Sequence, residues 1–298
     1  IQCILLLCGG MTLFDSLATS FGTAGTGGFG IKNDSIGGYS PYIQWVVTIF
    51  MILFGVNFNA YYLILFHQFK KAISMEEVRY YFLVILASIA IICVDIRNYY
   101  ESFSEVLRHA AFQVGSLITT TGFSTTDFNL WPQTSKTILV LIMFIGACAG
   151  STGGGIKVSR FVVLFKTVAK ELDSYIHPKS IKKIKMDGKP VEHEVLRSIN
   201  VYFITFITVF VVSLLIVSFN GHDLVTNFTA VTATINNIGP GLNIVGPTEN
   251  FGFFSNLSKY VFIIDMLAGR LELFPLLIFF HPAVWQDLFK SKFGKKRR

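Results

Sequence analysis

Three short stretches hold the residues best suited to chemistry, and all three are built alike. They are Gly25-Thr26-Gly27-Gly28-Phe29-Gly30, Thr119-Thr120-Thr121-Gly122-Phe123 and Asn236-Asn237-Ile238-Gly239-Pro240-Gly241. In each, small, hydroxyl or amide residues lead to a glycine, and Phe or Pro follows. Glycine tolerates positive φ, so successive carbonyls can turn toward a common axis. Rings of such carbonyls can replace the hydration shell of an ion. Threonine and asparagine add oxygen without net charge, and no carboxylate lies in any of the loops. A calcium or magnesium site would call for carboxylates. The pattern therefore points to a monovalent cation, with Thr26, Gly27, Gly28, Thr120, Thr121, Gly122, Asn237, Ile238 and Gly239 as candidate ion-binding residues.

Two further features break apolar sequence. Gly146 and the cluster Gly150-Ser151-Thr152-Gly153-Gly154-Gly155, followed by Lys157, interrupt a hydrophobic run. Each glycine costs a helix about 1 kcal/mol relative to alanine, so the segment reads as a broken helix. Broken helices in membranes line cavities, and below a filter this one could form a movable constriction. The alternative is a close-packing face of small residues. Arg270 is the second feature, a charge inside the last apolar run and therefore a candidate for pore electrostatics. Asp265 and Glu272 lie five and two residues away, off the helical spacings that favour a local pair. Asn57 and Asn59 read as interhelical hydrogen-bonding groups.

Two motif matches fail on context. Gly25, Gly27 and Gly30 satisfy G-x-G-x-x-G, but no strand precedes them. The 150–157 cluster is like a phosphate-binding loop with its lysine one place late and Val158 where a hydroxyl should hold magnesium. The four cysteines stand singly in apolar stretches and read as small buried hydrophobes rather than metal ligands. The six histidines are scattered, so no hydrolytic or redox set is apparent and the chain does not read as an enzyme.

What must position the loops follows from composition. The chain is 52% hydrophobic and 14% charged, with 30 Phe in 298 residues and a mean hydropathy of +0.57. A soluble domain averages about a quarter charged. Apolar runs at 43–66, 80–94, 137–149, 201–219 and 260–280 suit a bilayer core, which takes about 20 residues to cross. Between them, shorter amphipathic stretches at 12–24, 103–117 and 223–235 each run into one of the three loops and open near Asp15, Ser102 or Ser104, and Asp223. Such a half-span helix and polar loop are tolerated at membrane depth only beside water or protein. Three of them predict one shared aqueous path, with the negative end of each helix dipole favouring a cation.

The net charge of +7 does not mark a nucleic-acid surface. Seventeen Lys and Arg lie in segments 70–79, 166–197 and 290–298, against three at Lys32, Lys136 and Lys259. By the positive-inside rule the basic segments are cytoplasmic and the glycine-rich loops face outside. The basic stretches are also suited to anionic lipid. The chain opens inside an apolar run without Met and reads as lacking an upstream part.

The two later loops, the 150–157 cluster, and Met266 through Glu272 with Pro282-Ala283-Val284-Trp285 together resemble the Trk/Ktr/HKT superfamily of potassium transporters. The stretch from Ile176-His177-Pro178 through Gly188-Lys189-Pro190-Val191 to Ile199 is similar to the bacterial Trk-type (TrkH) uptake-subunit family. The resemblance implies an all-α membrane protein: repeated M1–pore-helix–filter-loop–M2 units around a pseudo-fourfold pore, about two and a half of four repeats being present. Residues 1–71 would be the second repeat without most of its first helix. Residues 72–178 would be the third, with its second helix broken at a gating loop, 146–155. Residues 179–298 would be the fourth, with a cytoplasmic lead-in and a basic tail. The resemblance further implies filter glycines at Gly28, Gly122 and Gly239, a pore-facing Arg270, and a homodimer in a bacterial inner membrane. It implies potassium as the transported ion, and a cytosolic nucleotide-binding regulatory subunit of RCK-like ring form that binds nucleotide in place of this chain. A proton- or sodium-coupled cation symporter on the same fold is the alternative.

Overall fold

The computed structural model describes residues 1–178, 182–271, 273–279, 282 and 284. Glu272, Ala283, Trp285 and the basic tail 290–298 lie outside the described residues. Three helix–loop–helix units follow one another. The first comprises α1 (Gln2–Cys8), α2 (Leu13–Ala24), α3 (Pro41–Phe54), α4 (Phe58–Leu65) and α5 (Phe69–Ser74). The second comprises α6 (Glu76–Asp95), α7 (Phe103–Ile118), α8 (Gln133–Ile145) and α9 (Val158–Ile176). The third comprises α10 (His193–Ser218), α11 (Leu224–Ile235), α12 (Asn256–Leu271) and α13 (Leu273–Phe279).

The short helices α2, α7 and α11 start where an oxygen-bearing side chain precedes an apolar-periodic run. Thr12, Ser102 and Asp223 accept hydrogen bonds from the backbone N–H groups of Asp15, Glu105 and Thr226. In the first unit the cap is Thr12. Asp15 lies in the first turn and accepts instead from the Tyr39 hydroxyl at 2.9 Å. Ser102, not Ser104, caps α7.

Helices α6 and α10 are long and apolar enough to cross a membrane. Leu83, Leu86, Ile204 and Leu215 are exposed along them, as expected of side chains facing hydrocarbon. The apolar run 43–66 is not one straight span. It breaks at Gly55-Val56-Asn57 into α3 and α4, inclined at 93° to each other. A Cβ on Gly55 would lie 2.3 Å from the Tyr81 hydroxyl oxygen, so the bend is packed tightly against α6. The run 137–149 ends as helix at Ile145, and Gly146 follows at φ +73.

Helix α7 is wrapped on all sides: Phe112, Val114, Leu117 and Ile118 are fully buried. Asp95 at the end of α6 accepts from Ser135 N and Oγ at 3.0 and 2.6 Å, which fixes the start of α8. The only strands among the described residues form a small hairpin, β1 (Lys185–Met186) with β2 (Lys189–Pro190). Asp187 and Gly188 turn it at φ +51 and +77, the geometry of a two-residue Asp-Gly hairpin. Cys93 and Cys148 are buried as expected. Cys3 is half-buried and Cys8 exposed on the outer face of α1.

Candidate functional site

The three loops have one backbone. Each helix ends on a residue with right-handed φ: Gly25 at −83, Thr119 at −84 and Asn236 at −94. The next residue is left-handed in every case, Thr26 at +49, Thr120 at +57 and Asn237 at +56, and so is the glycine two places on, Gly28 at +64, Gly122 at +86 and Gly239 at +109. The intervening residue donates its N–H back to the last turn: Gly27 to Gly22 O at 2.8 Å, Thr121 to Ser116 O at 2.9 Å, and Ile238 to Ala233 O at 2.8 Å. Left-handed backbone at a non-glycine residue is uncommon. Its recurrence at three equivalent positions marks an imposed geometry, not three ordinary turns.

The loops also pack on one another. A Cβ on Gly28 would lie 1.8 Å from Thr121 O, and one on Gly122 would lie 1.9 Å from Ile238 O. The first strand thus presses on a carbonyl of the second, and the second on a carbonyl of the third. Outside the loops, Ile36 N donates to Ser124 O at 3.0 Å, and Asn129 and Asn243 exchange bonds of 3.0 and 2.9 Å. All nine candidate ion-binding residues are therefore brought to one junction, where the C-terminal ends of α2, α7 and α11 meet.

The segment 146–157 seats against that junction. Gly154 N donates to Thr120 Oγ1 at 2.6 Å, and the Thr26 hydroxyl lies 2.9 Å from Thr152 O. Cβ atoms on Gly153 and Gly154 would meet Thr119 O at 3.0 Å and Asn236 O at 2.7 Å. The segment thereby touches the end of every short helix, and larger side chains would push it away. Gly146, Gly150 and Gly155 take positive φ, as does Lys157 at +83 just before α9. The Lys157 ammonium bonds Gly153 O, which folds the segment on itself. Ser151 Oγ donates to Cys148 O at 2.7 Å. Below lies a cavity of about 420 Å³, lined by the segment, Lys157, Arg160, Tyr202 and Arg270.

Arg270 reaches the same junction. It donates to Thr26 Oγ1 at 3.2 Å, Thr152 O at 3.1 Å and Gly25 O at 2.9 Å. One guanidinium therefore caps the last turn of α2 and holds the interrupting segment. Asp265 is buried and paired with Ser213 Oγ at 2.7 Å, so it is not the partner of Arg270. Gly269 allows the approach, since a Cβ there would lie 1.9 Å from Ile235 O.

The cation transport protein family TrkH matches residues 8–292 of the chain. The chain belongs to this family. It is 36% identical over 282 residues to the Trk system potassium uptake protein TrkH of Salmonella typhimurium, and equally to that of Escherichia coli K12. Each alignment covers 93% of this chain and 58% of the relative. The structure resembles the crystal structure of the potassium transporter TrkH from Vibrio parahaemolyticus with a TM-score of 0.87 at 33% identity, covering 95% of this chain and 61% of that one. The chain thus spans about 58% of the length of these curated relatives. The family is one of transporters, and the fold is that of a mostly helical membrane protein.

One residue of the candidate site is not conspicuous in the sequence. Glu77, only 4% exposed, accepts from Ala149 N at 2.5 Å and Ser159 N at 3.2 Å through Oε1, and from Asn57 Nδ2 at 3.1 Å through Oε2. Hydrogen bonds to a charged group contribute about 1.5–3 kcal/mol each. Adjacent acidic residues at a helix start read as ordinary first-turn charges, and the two amides lie more than 70 residues away. The weak signal was Asn57, expected to bond between helices and found to do so. Among the described residues no group of three or more His, Cys, Asp or Glu could hold a metal ion.

Proposed function

We propose that this chain supplies three of the four filter strands and the gate of a potassium uptake pore in a bacterial cytoplasmic membrane. The observation that carries the reading is the thrice-repeated left-handed pattern at Thr26/Gly28, Thr120/Gly122 and Asn237/Gly239, each at the end of a half-span helix. Three helix ends bring negative dipole charge to one place, which favours a cation. The nine loop residues bind the dehydrating ion through backbone carbonyls with Thr and Asn oxygens beside them. Segment 146–155 with Lys157 is the gate, lying across the path on the side away from the outer loops. Arg270 adds positive charge at the same constriction and raises the barrier to cations until the segment moves.

We assign the three units to the repeats 1–71, 72–178 and 179–298, with the first boundary moved to Met75 because α5 (Phe69–Ser74) runs across residue 71. The basic loops and C-terminal tail are cytoplasmic and the filter loops face outside. The working protein is a homodimer that takes a cytosolic nucleotide-binding regulator. Support for these assignments comes from the Trk system relatives and the charge distribution.

The test is Rb⁺ uptake by the full-length protein in cells lacking other potassium uptake. Gly122→Ser places a side chain against Ile238 O and should abolish growth at low potassium or relax the preference for K⁺ over Na⁺. Gly221→Ser is the control, since Gly221 has φ +74 with no atom within 4 Å of an added Cβ; it should keep both. Unaltered uptake and selectivity in Gly122→Ser would sink the filter assignment.

A further inference from the structure

We propose that Glu77 is the positioning residue that sets the seat of the gating segment, an inference that rests on the gate reading above. The segment has two fixed ends, and one carboxylate holds both. Ala149 lies near its start and Ser159 in the first turn of α9 just past its end, yet their N–H groups converge on the single oxygen Oε1. The second oxygen holds Asn57, whose own Oδ1 accepts from Asn59 N at 2.9 Å at the bend between α3 and α4. Two backbone bonds run parallel to this bridge: Phe58 N donates to Gly150 O at 3.1 Å, and Cys148 N to Gly55 O at 3.0 Å. The α3/α4 bend, the start of α6 and both ends of the segment are therefore one hydrogen-bonded unit with Glu77 at its centre.

The chemistry requires a carboxylate. Three donors converge on the side chain, and an ionised carboxylate presents acceptors only. Glutamine has the same shape but one acceptor oxygen, and its NH₂ would confront a donor. Glu77→Gln therefore frees at least one of Ala149 N, Ser159 N and Asn57 Nδ2 without opening a cavity. The filter residues are not among these contacts, so the seat can loosen while selectivity stays.

Glu77 also lies beside the joint to the cytoplasmic hairpin. Its neighbour Glu76 pairs with Lys166, whose ammonium bonds Lys185 O, and Glu76 N donates to Asp187 Oδ1 at 2.7 Å. Movement of the hairpin would thus reach the first turn of α6, where Glu77 holds the segment.

The experiment uses the full-length protein in liposomes without any other protein, with Rb⁺ flux and backbone hydrogen exchange over residues 146–159 as readouts. Glu77→Gln should raise basal flux about tenfold, the loss of one charge-assisted bond. It should speed exchange in the segment while leaving the K⁺ over Na⁺ preference unchanged. Glu77→Asp, which keeps the charge and shortens the reach, covers the case in which Glu77→Gln does not assemble; the same changes are expected in smaller degree. Wild-type exchange and flux in an assembled variant would overturn the assignment. A chain lacking residues 151–153 separates the two readings. If it conducts more and the Glu77 variants do not, the role of Glu77 alone falls. If it conducts no more than wild type, the gate reading falls, and hydrogen exchange still decides whether Glu77 positions the segment.

Discussion

Arg270 combines two effects that a single substitution can separate. On the proposed gate reading it would repel cations as a point charge; as a planar fork it donates to Gly25 O, Thr26 Oγ1 and Thr152 O together. Lysine keeps the charge, but its compact ammonium cannot reproduce the fork. If charge alone sets the barrier, Arg270→Lys should conduct like the wild type. The geometry predicts otherwise. Two backbone carbonyls and a hydroxyl lose their shared donor, so basal Rb⁺ flux should rise in Arg270→Lys to a level between wild type and Arg270→Ala. For Arg270→Ala the rise should be roughly tenfold, the loss of one charge-assisted contact at the gate. Liposome flux at equal protein density checks the order, and wild-type flux in Arg270→Lys would reject the clamp. Residue type made Arg270 conspicuous in the sequence because a charge in an apolar run is rare. The same logic hid Glu77, whose role depends on amides that the chain brings back only after two helices.

At the scale of elements, α11 depends on its cap. Asp223 accepts from Thr226 N, from the Thr226 hydroxyl and from Asn243 Nδ2. The hydrogen bond from the Thr226 side chain, above all, holds its carboxyl below the usual carboxylate range. A depressed folded-state value means that this stabilisation is complete above the unfolded pKa, near 3.9, and is lost as pH falls through the folded value. Asp223→Ala should therefore lower the stability of the detergent-solubilised protein by about 1 kcal/mol at neutral pH. Asp223→Asn keeps a neutral cap, and the advantage of the wild type over it should vanish in acid. Thermal unfolding at pH 7 and at a pH below the folded-state value measures both, and a gap equal at the two would contradict the assignment. The caps at Ser102 and Asp223 were legible because capping is a local matter of residue type; for the first short helix the sequence offers Asp15, and the cap is Thr12. The repeated loops were legible as a pattern, although their left-handed turns at Thr26, Thr120 and Asn237 were not, since none of these is glycine. The 93° break at Gly55-Val56-Asn57 was also hidden. The run 43–66 is apolar throughout apart from Gln44, Thr48 and two asparagines, and only packing against Tyr81 and Gly150 decides where it turns.

Among the described residues, polar contacts gather at two ends, or faces, of the molecule. On one face, the start of α6 is tied to the hairpin through Glu76 N and Asp187, and Lys182 pairs with Asp173 near the end of α9. On the other, Asn129 and Asn243 join the segments that follow the second and third loops, and Lys259 bonds Gly252 O at 2.7 Å. Helices α6 and α10 both start on the first face and finish on the second, so the two faces lie on opposite sides of whatever these helices cross. Seven described Lys and Arg between 166 and 197 fall on the first face, while Lys136 and Lys259 stand on the second. Each basic residue near an anionic leaflet gains about 1 kcal/mol, so the summed preference for one orientation is large compared with any single contact. The hairpin face is therefore predicted to be cytoplasmic. Lys183 and Glu249 are both exposed, one on each face, and neither belongs to the candidate site. In the full-length protein, Lys183→Cys should react with a membrane-impermeant thiol reagent only in inverted vesicles, and Glu249→Cys only in right-side-out ones. The reverse labelling would put the filter loops on the cytoplasmic side and the gate outside, and potassium uptake through a filter reached from the exterior would have to be abandoned.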